Sequence, residues 1–378
     1  MSNNVVMNVC AKHPPFDGRV YDKISKTLVK CGYEVHNSSP NIESKLTDDG
    51  IFLHGFPQGK GMIQRVKSLS ALRQVIEEVH PDCMLCHEPD ALFTAYRYYK
   101  KEKKKRNIKL YFDCHEAYEH WFDSTTKLKP LNLFAGIALM AMINGTVNKI
   151  DGVTSVNNTM TGRFKKYNSS SYFLPSVYKT DNTFDYKENH STDLVYMGQF
   201  GKSKQIEMFI GAAKILKSKG ILCPITIIGG NKSGERGSGS IEDIVEKEQL
   251  QDYFVFKGWM PREEAFAELK KYGVGIMRFD SYTMPGNYAM PNKLFEYMSL
   301  GLAVLSCKLN LEIKNIIEKN DCGVLIDSET AKDLADAMIY IYEHPQQIKT
   351  MKRNAYLATA REYNWQSYES LLHHMVED

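Results

Sequence analysis

The chain has 378 residues, 43% of them hydrophobic and 25% charged, which excludes a disordered or fibrous protein and suggests about two domains, each long enough to bury a core. Net charge is +3, so no nucleic-acid partner is expected, but it is unevenly spread. Residues 1–176 carry 24 Lys and Arg against 17 Asp and Glu, and the remainder carries 24 against 28.

The opening "MSNNVVMNVCAKHPP" reads as a strand (5–10), without the charged and apolar regions of a signal peptide. A cytoplasmic, reducing setting is therefore expected, with the eight cysteines as free thiols packed as small hydrophobes. A helical pattern follows over 19–32. The strand "DCMLCH" (82–87) precedes the helix "DALFTAYRYYKKEKKK" (90–105), and "LYFDCH" (110–115) and "GVTSV" (152–156) continue the alternation. The stretch "LNLFAGIALMAMI" (131–143) is too short to span a bilayer. The polar "KTDNTFDYKENHSTD" (179–193) has no period and reads as a domain junction. The alternation then restarts with "LVYMG" (194–198), "KQIEMFIGAAKILKSKG" (204–220), "ITIIGG" (225–230), "YFVFKGW" (253–259), "VGIMRF" (274–279), "AVLSC" (303–307) and "GVLID" (323–327), and the chain ends in helices.

Strand–helix alternation implies parallel sheets covered on both faces. The expected fold is α/β. Two Rossmann-like domains, 1–176 and 177–360, face a central cleft, and a helix within 361–378 returns to the N-domain. Ligands in such sheets bind beyond the carboxyl ends of the strands.

Two segments repeat Cys-His-Glu after an apolar run, at 86–88 and 114–116. The first also spells Cys-x-x-Cys-His, the pattern of c-type haem attachment. Haem of that type belongs to exported proteins. Cys83 and Cys86, three apart on a strand, point to opposite faces and suit a shared zinc poorly. Both triplets read instead as strand ends feeding one site, with His115 and Glu116 as catalytic candidates and His87 on the acceptor side. The second triplet is followed by a longer, aromatic-rich connection and is the stronger candidate. Asp17 and Arg19 either pair with each other or line the acceptor side. No Asp-x-Asp and no zinc-spaced ligand set occurs, so no metal is expected. The basic "YKKEKKKR" (99–106) is a solvated helix end or a contact for an anionic membrane or phosphate-bearing acceptor.

The segment "YAMPNKLFEYMSLGLAVLSC" (288–307) places Pro291 and Asn292 at a helix start, where free N–H groups and Lys293 suit a phosphate. Glu296, one turn on, suits a ribose diol. Gly198 ends a strand before a loop and helix bearing Lys202 and Lys204. Two phosphate-friendly strand ends on one domain suggest a nucleoside diphosphate.

In motif order, the sequence resembles glycosyltransferase family 4 and its relatives of the GT-B fold. "MGQFGKSKQI", "ITIIGGN", "FKGWMPREEAFAELKKYGVGIMRF", "PNKLFEYMSLGLAV", "EIKNIIEKNDCGVLID" and "YNWQSYESLL" carry the resemblance in the C-terminal half. "FDGRVYDKISKTLVKCGYEV", "HEPD" and "YFDCHEAY" carry it in the N-terminal half. The resemblance implies transfer of a sugar, with retention of configuration, from a nucleotide-diphosphate sugar to a bacterial surface polysaccharide or glycolipid precursor. It implies that Lys204 meets the diphosphate, Glu296 the ribose and His115 the donor sugar. No cofactor is implied beyond the donor, a UDP-sugar being favoured. Gln199 stands where the family has Arg, and Tyr288 where it has the first Glu of a Glu-x7-Glu pair. A sugar-nucleotide epimerase on the same fold, or a non-catalytic nucleotide-sugar-binding partner, are the alternatives.

Overall fold

The computed structural model describes residues 5–116, 118, 129–177, 189–198, 204–229, 241–277 and 290–377. The chain divides into two compact units, one of residues 1–179 with 365–378 and the other of residues 180–364.

In the first unit lie β1 (Val5–Val9), β2 (Glu34–Pro40), β3 (Lys45–Leu46), β4 (Ile51–Phe56), β5 (Cys83–Cys86), β6 (Lys109–Cys114), β7 (Gly152–Ser155) and β8 (Ser171–Phe173). They form one sheet in the order β3-β4-β2-β1-β5-β6-β7-β8. All pairings are parallel except β3 with β4. The apolar strand residues Met7, Val9, Met84, Leu110 and Phe112 are fully buried under helices, as a sheet covered on both faces requires.

The strands β2 to β4 escape the apolar alternation. In "EVHNSSP" the buried residues include His36, Asn37, Ser38 and Ser39. Their polar groups are satisfied across the sheet: Ser38 Oγ accepts from Cys10 N at 2.8 Å and Asn37 Oδ1 from Asn8 Nδ2 at 3.0 Å.

The second unit holds β9 (Leu194–Met197), β10 (Ile225–Ile228), β11 (Phe254–Gly258), β12 (Val274–Ile276), β13 (Ala303–Cys307) and β14 (Gly323–Ile326). They pair in parallel in the order β11-β10-β9-β12-β13-β14. In both sheets the chain winds out from a central strand and returns to its other side. The strand order thus reverses between β1 and β5 in one unit and between β9 and β12 in the other. The carboxyl ends of these pairs are the positions at which such sheets bind ligands.

The final helix, Gln366–Glu377, belongs to the first unit. Trp365, fully buried, donates from Nε1 to Thr27 Oγ1 at 2.8 Å, and Lys109 Nζ donates to Val376 O at 2.9 Å. Among the described residues no helix is long and apolar enough to cross a membrane.

Candidate functional site

In the first unit, β5 and β6 each stop at the cysteine of a Cys-His-Glu triplet. The two triplets then diverge. Glu88 is the N-cap of the helix Pro89–Glu102 and is buried. Its carboxylate accepts from Ala11 N (2.9 Å), Lys12 N (2.9 Å) and His13 N (3.2 Å), so it clamps the loop after β1. Glu116 is exposed and lines a separate small cavity with Arg163 and Phe164.

Asp113, one residue before the end of β6, organises the strand ends. It is fully buried. Its Oδ1 accepts from Arg19 Nη2 (2.7 Å) and Thr154 Oγ1 (2.7 Å), and its Oδ2 accepts from Arg19 Nε (2.8 Å) and His87 Nδ1 (3.0 Å). Burial opposes its ionisation, but the Arg19 charge and hydrogen bonds outweigh it and hold the carboxyl well below the usual range. Arg19 also donates to Leu174 O at 2.9 Å and Ser176 Oγ at 3.1 Å. Its guanidinium is therefore not paired with Asp17, whose Oδ1 instead accepts from the Arg19 backbone N–H at 2.8 Å. Arg19 and His87 are both buried, and neither offers a surface to an acceptor. For His87, burial pushes the imidazole below its ordinary value despite Asp113, and the ring packs as an oriented donor.

His115 is only partly buried, and its Nε2 lies 3.1 Å from His13 Nε2. One of the two must donate and the other accept. His13 Nδ1 faces Asp17 Oδ2 at 3.3 Å, and its Nε2 is 3.6 Å from Glu88 Oε1. Burial lowers the His13 pKa, but Asp17, Glu88 and Asp113 together raise it above its ordinary value. Burial likewise disfavours the Asp17 anion, yet the His13 hydrogen bond and the Val20 and Arg19 N–H groups depress its pKa. When protonated, His13 donates to His115 Nε2, while His115 Nδ1 sits 3.5 Å from Asp113 Oδ2. The arrangement can hold a proton at His13 Nε2 and share it with His115 Nε2.

His87, just after β5, and Asp113 and His115, two residues apart at the end of β6, bring three ligand-type atoms within 4.8 Å of one another. His87 Nδ1 and Asp113 Oδ2 already engage each other, and Asp113 holds Arg19, while His115 Nδ1 lies 3.5 Å from Asp113 Oδ2 without a hydrogen bond. A cation there would have to displace the guanidinium from a saturated carboxylate, so the set fits a hydrogen-bonded frame and not a metal centre.

In the second unit, the ends of β9, β10 and β11 carry Gly198, Gly229 and Gly258. Gly229 has φ +141°, and a Cβ there would lie 2.0 Å from Gly198 O, so this rim requires glycine. A Cβ on Gly198 would meet Tyr196 Oη at 2.9 Å and Lys293 Nζ at 3.2 Å, which places the ammonium against the end of β9. Pro291 is the N-cap of the helix Asn292–Ser299, just before its first turn, and Asn292 opens it. Glu296 lies on that helix, 3.3 Å from Arg262 Nη2. Tyr297 fixes the helix: its hydroxyl accepts from Met197 N at 2.9 Å, and its ring packs on Gly275, where a Cβ would fall 2.4 Å from Cγ. Burial raises its pKa and keeps the hydroxyl protonated. Lys204 begins the helix Lys204–Ser218, and its side chain lies outside the described residues, as do Gln199, Lys202, Tyr288 and the connection 119–128.

His13, Asp113, Arg262 and Tyr297 were not singled out from sequence. Of these, His13 had a visible signal, a polar residue in the loop directly after the first strand. The Arg19–Asp113 pair spans 94 residues and has no local signature.

Residues 179–358 match the family model described as glycosyl transferases group 1. No curated protein matches the sequence. The fold is shared with sucrose-phosphate synthase from Thermosynechococcus elongatus (TM-score 0.71, 13% identity, 98% of this chain and 97% of that one). HepE of Anabaena, solved with UDP, gives a TM-score of 0.66 at 12% identity over 99% of each chain. WaaG, a glycosyltransferase involved in lipopolysaccharide biosynthesis, gives 0.66 at 13% identity over 99% of this chain and 100% of that one.

Proposed function

We propose that this protein transfers a sugar from a nucleoside-diphosphate donor, a UDP-sugar, to a saccharide or lipid-linked precursor of a bacterial surface polymer. It would act in the cytoplasm with retention of configuration. The observation that carries this reading is the family match over 179–358, which contains Gly198, Pro291–Lys293 and Glu296 at the reversal point of the second sheet. HepE has been solved with UDP and with UDP-glucose, which supports uracil as the base.

In this reading, Glu296 accepts hydrogen bonds from the ribose hydroxyls. Lys204, Lys293 and the N–H groups at the start of helix Asn292–Ser299 oppose the charge that grows on the departing diphosphate. His115 meets the transferred sugar, and His13 orients it. An epimerase would need a free carboxylate pair, whereas Glu88, Asp113 and Asp17 are held by backbone N–H groups, Arg19 and His13.

Acceptor-dependent release of UDP from a UDP-sugar tests the reading, since neither an epimerase nor a binding partner would show it. Glu296→Ala should weaken UDP binding about 10- to 150-fold by calorimetry, the loss of a charged hydrogen bond of roughly 1.5–3 kcal/mol. Unchanged affinity in the folded variant would remove Glu296 from the donor site.

A peripheral membrane contact is part of the proposal. The helix Lys129–Val147 exposes Leu133, Phe134, Ile137 and Met142, and Lys100 and Lys101 close the helix before it, with Lys104 in the turn that follows. Co-sedimentation with vesicles should require anionic lipid and weaken with salt. Equal binding to neutral vesicles would leave the lysines as solvated surface.

A further inference from the structure

Beside the histidine cluster, the first unit contains a cavity of about 570 Å³, the size of a small-molecule site. Its wall is the loop Ala11–Lys12, the same loop that Glu88 holds by its N–H groups. Phe56 and Leu69 supply an apolar side. Lys12, Lys60 and Arg65 supply three cations, and Asp90 one carboxylate. Asp90 is buried and takes two of the cations: Arg65 Nη2 at 2.5 Å and Lys12 Nζ at 3.7 Å. Lys60 is exposed and makes no ion pair among the described residues. Gly61 is the N-cap of the helix Met62–Val79, with φ +91° and no side-chain cap, and it lines the same cavity. Three cations against one anion leave the cavity with an excess of two positive charges, next to an apolar wall.

We propose that this cavity binds the acceptor through an anionic group, a phosphate or carboxylate carried on a sugar ring. Lys60 and Arg65 meet the oxyanion, and Phe56 and Leu69 border the ring. The loop 11–13 carries both Lys12 at the cavity and His13 of the His13–His115 pair, so the cavity adjoins that pair. Calling the ligand the acceptor rests on the glycosyltransferase reading; the anionic site itself does not.

Calorimetric titration of the full chain tests it with four probes: N-acetylglucosamine 1-phosphate, glucuronic acid, neutral N-acetylglucosamine and inorganic phosphate. At least one of the two anionic sugars should bind, tighter than the neutral sugar and tighter than inorganic phosphate. Which one binds identifies the anion as phosphate or carboxylate. Lys60 is on the surface, so Lys60→Gln should fold normally and weaken that binding about tenfold, and Lys60→Glu should weaken it further. UDP titrated in parallel should bind wild type and Lys60→Gln alike, because its site lies in the other unit. Equal binding of neutral and anionic sugars, binding of inorganic phosphate as tight as the sugar's, no binding of either anionic sugar, or indifference to Lys60→Glu would each overturn the proposal. If UDP fails to bind while the anionic sugar binds in a Lys60-dependent way, the donor reading falls and the anionic site stands.

Discussion

The two sheets wind in the same order around a central strand, yet their carboxyl ends are furnished in opposite ways. In the first unit they carry histidines and carboxylates locked to one another: Arg19 on Asp113, Asp113 on His87, Glu88 on the loop 11–13. In the second unit the described ends carry glycines, with Lys293 and Glu296 on one short helix braced by Tyr297. A shared winding order therefore places ligand sites but does not decide how they are built. Where titratable groups crowd together out of water, each must be satisfied by another, and most become framework. Where glycines withdraw the side chains, the backbone amides and a few charges remain for a ligand.

The sharpest break of this contrast is in stability. Asp113→Ala strips the buried Arg19 guanidinium of its partner. Removing one member of a buried ion pair costs about 3–5 kcal/mol. Urea unfolding should show a loss of that size, whereas Glu296→Ala, which ends a contact to the exposed Arg262, should change stability by less than about 1 kcal/mol. A near-neutral Asp113→Ala would mean that the frame is not under the strain of burial described here.

Within the first unit the same contrast separates the two histidines. His115→Ala should lower turnover about 10²-fold or more if the ring acts in proton transfer or holds the sugar. His87→Ala leaves Asp113 short of a donor and should cost about 1–3 kcal/mol of stability, with a smaller effect on turnover at matched folding. A larger loss of turnover at His87 would reverse the assignment.

How far the sequence revealed this follows from the same physics. Apolar strands such as "LYFDC" and "AVLSC" are legible because both faces are buried, and "PNKLFE" is legible because a helix start has a local signature. The strand "EVHNSSP" was hidden because its buried side chains are polar and find partners on β1 and its loops. The triplets were visible, but their unequal burial was not. That depends on Asp113 meeting Arg19 from 94 positions away, a fact of folding and not of spacing.

The smallest expected effect is a pair of opposite pH slopes, which tests the frame without dismantling it. His13 faces Asp17, Glu88 and His115, with Asp113 behind His115, and its pKa is raised. Its protonated form thus adds stability that is fully present below the unfolded value of about 6.5 and is lost as pH rises through the higher folded value. His87 faces Asp113, the Asn8 side-chain amide and the other two histidines, and burial lowers its pKa. There the unfolded chain takes up the proton first, so stability falls as pH drops below about 6.5. In the wild type the two slopes oppose each other between about pH 5 and 8. His13→Gln should remove the first and leave stability that declines toward acid. The change is expected to stay below about 1 kcal/mol, because the His13–Asp17 pair is partly exposed. His87→Gln should change the slope the other way relative to wild type, toward decline at alkaline pH, against a common acid-side loss from His54, whose pKa burial lowers to about 4. Unfolding free energies at pH 5.5 and 8 for the three proteins decide the matter. Slope changes of the same sign relative to wild type in both variants would mean that His13 and His87 sit in equivalent surroundings, and the division between a shared proton and a buried frame would fail.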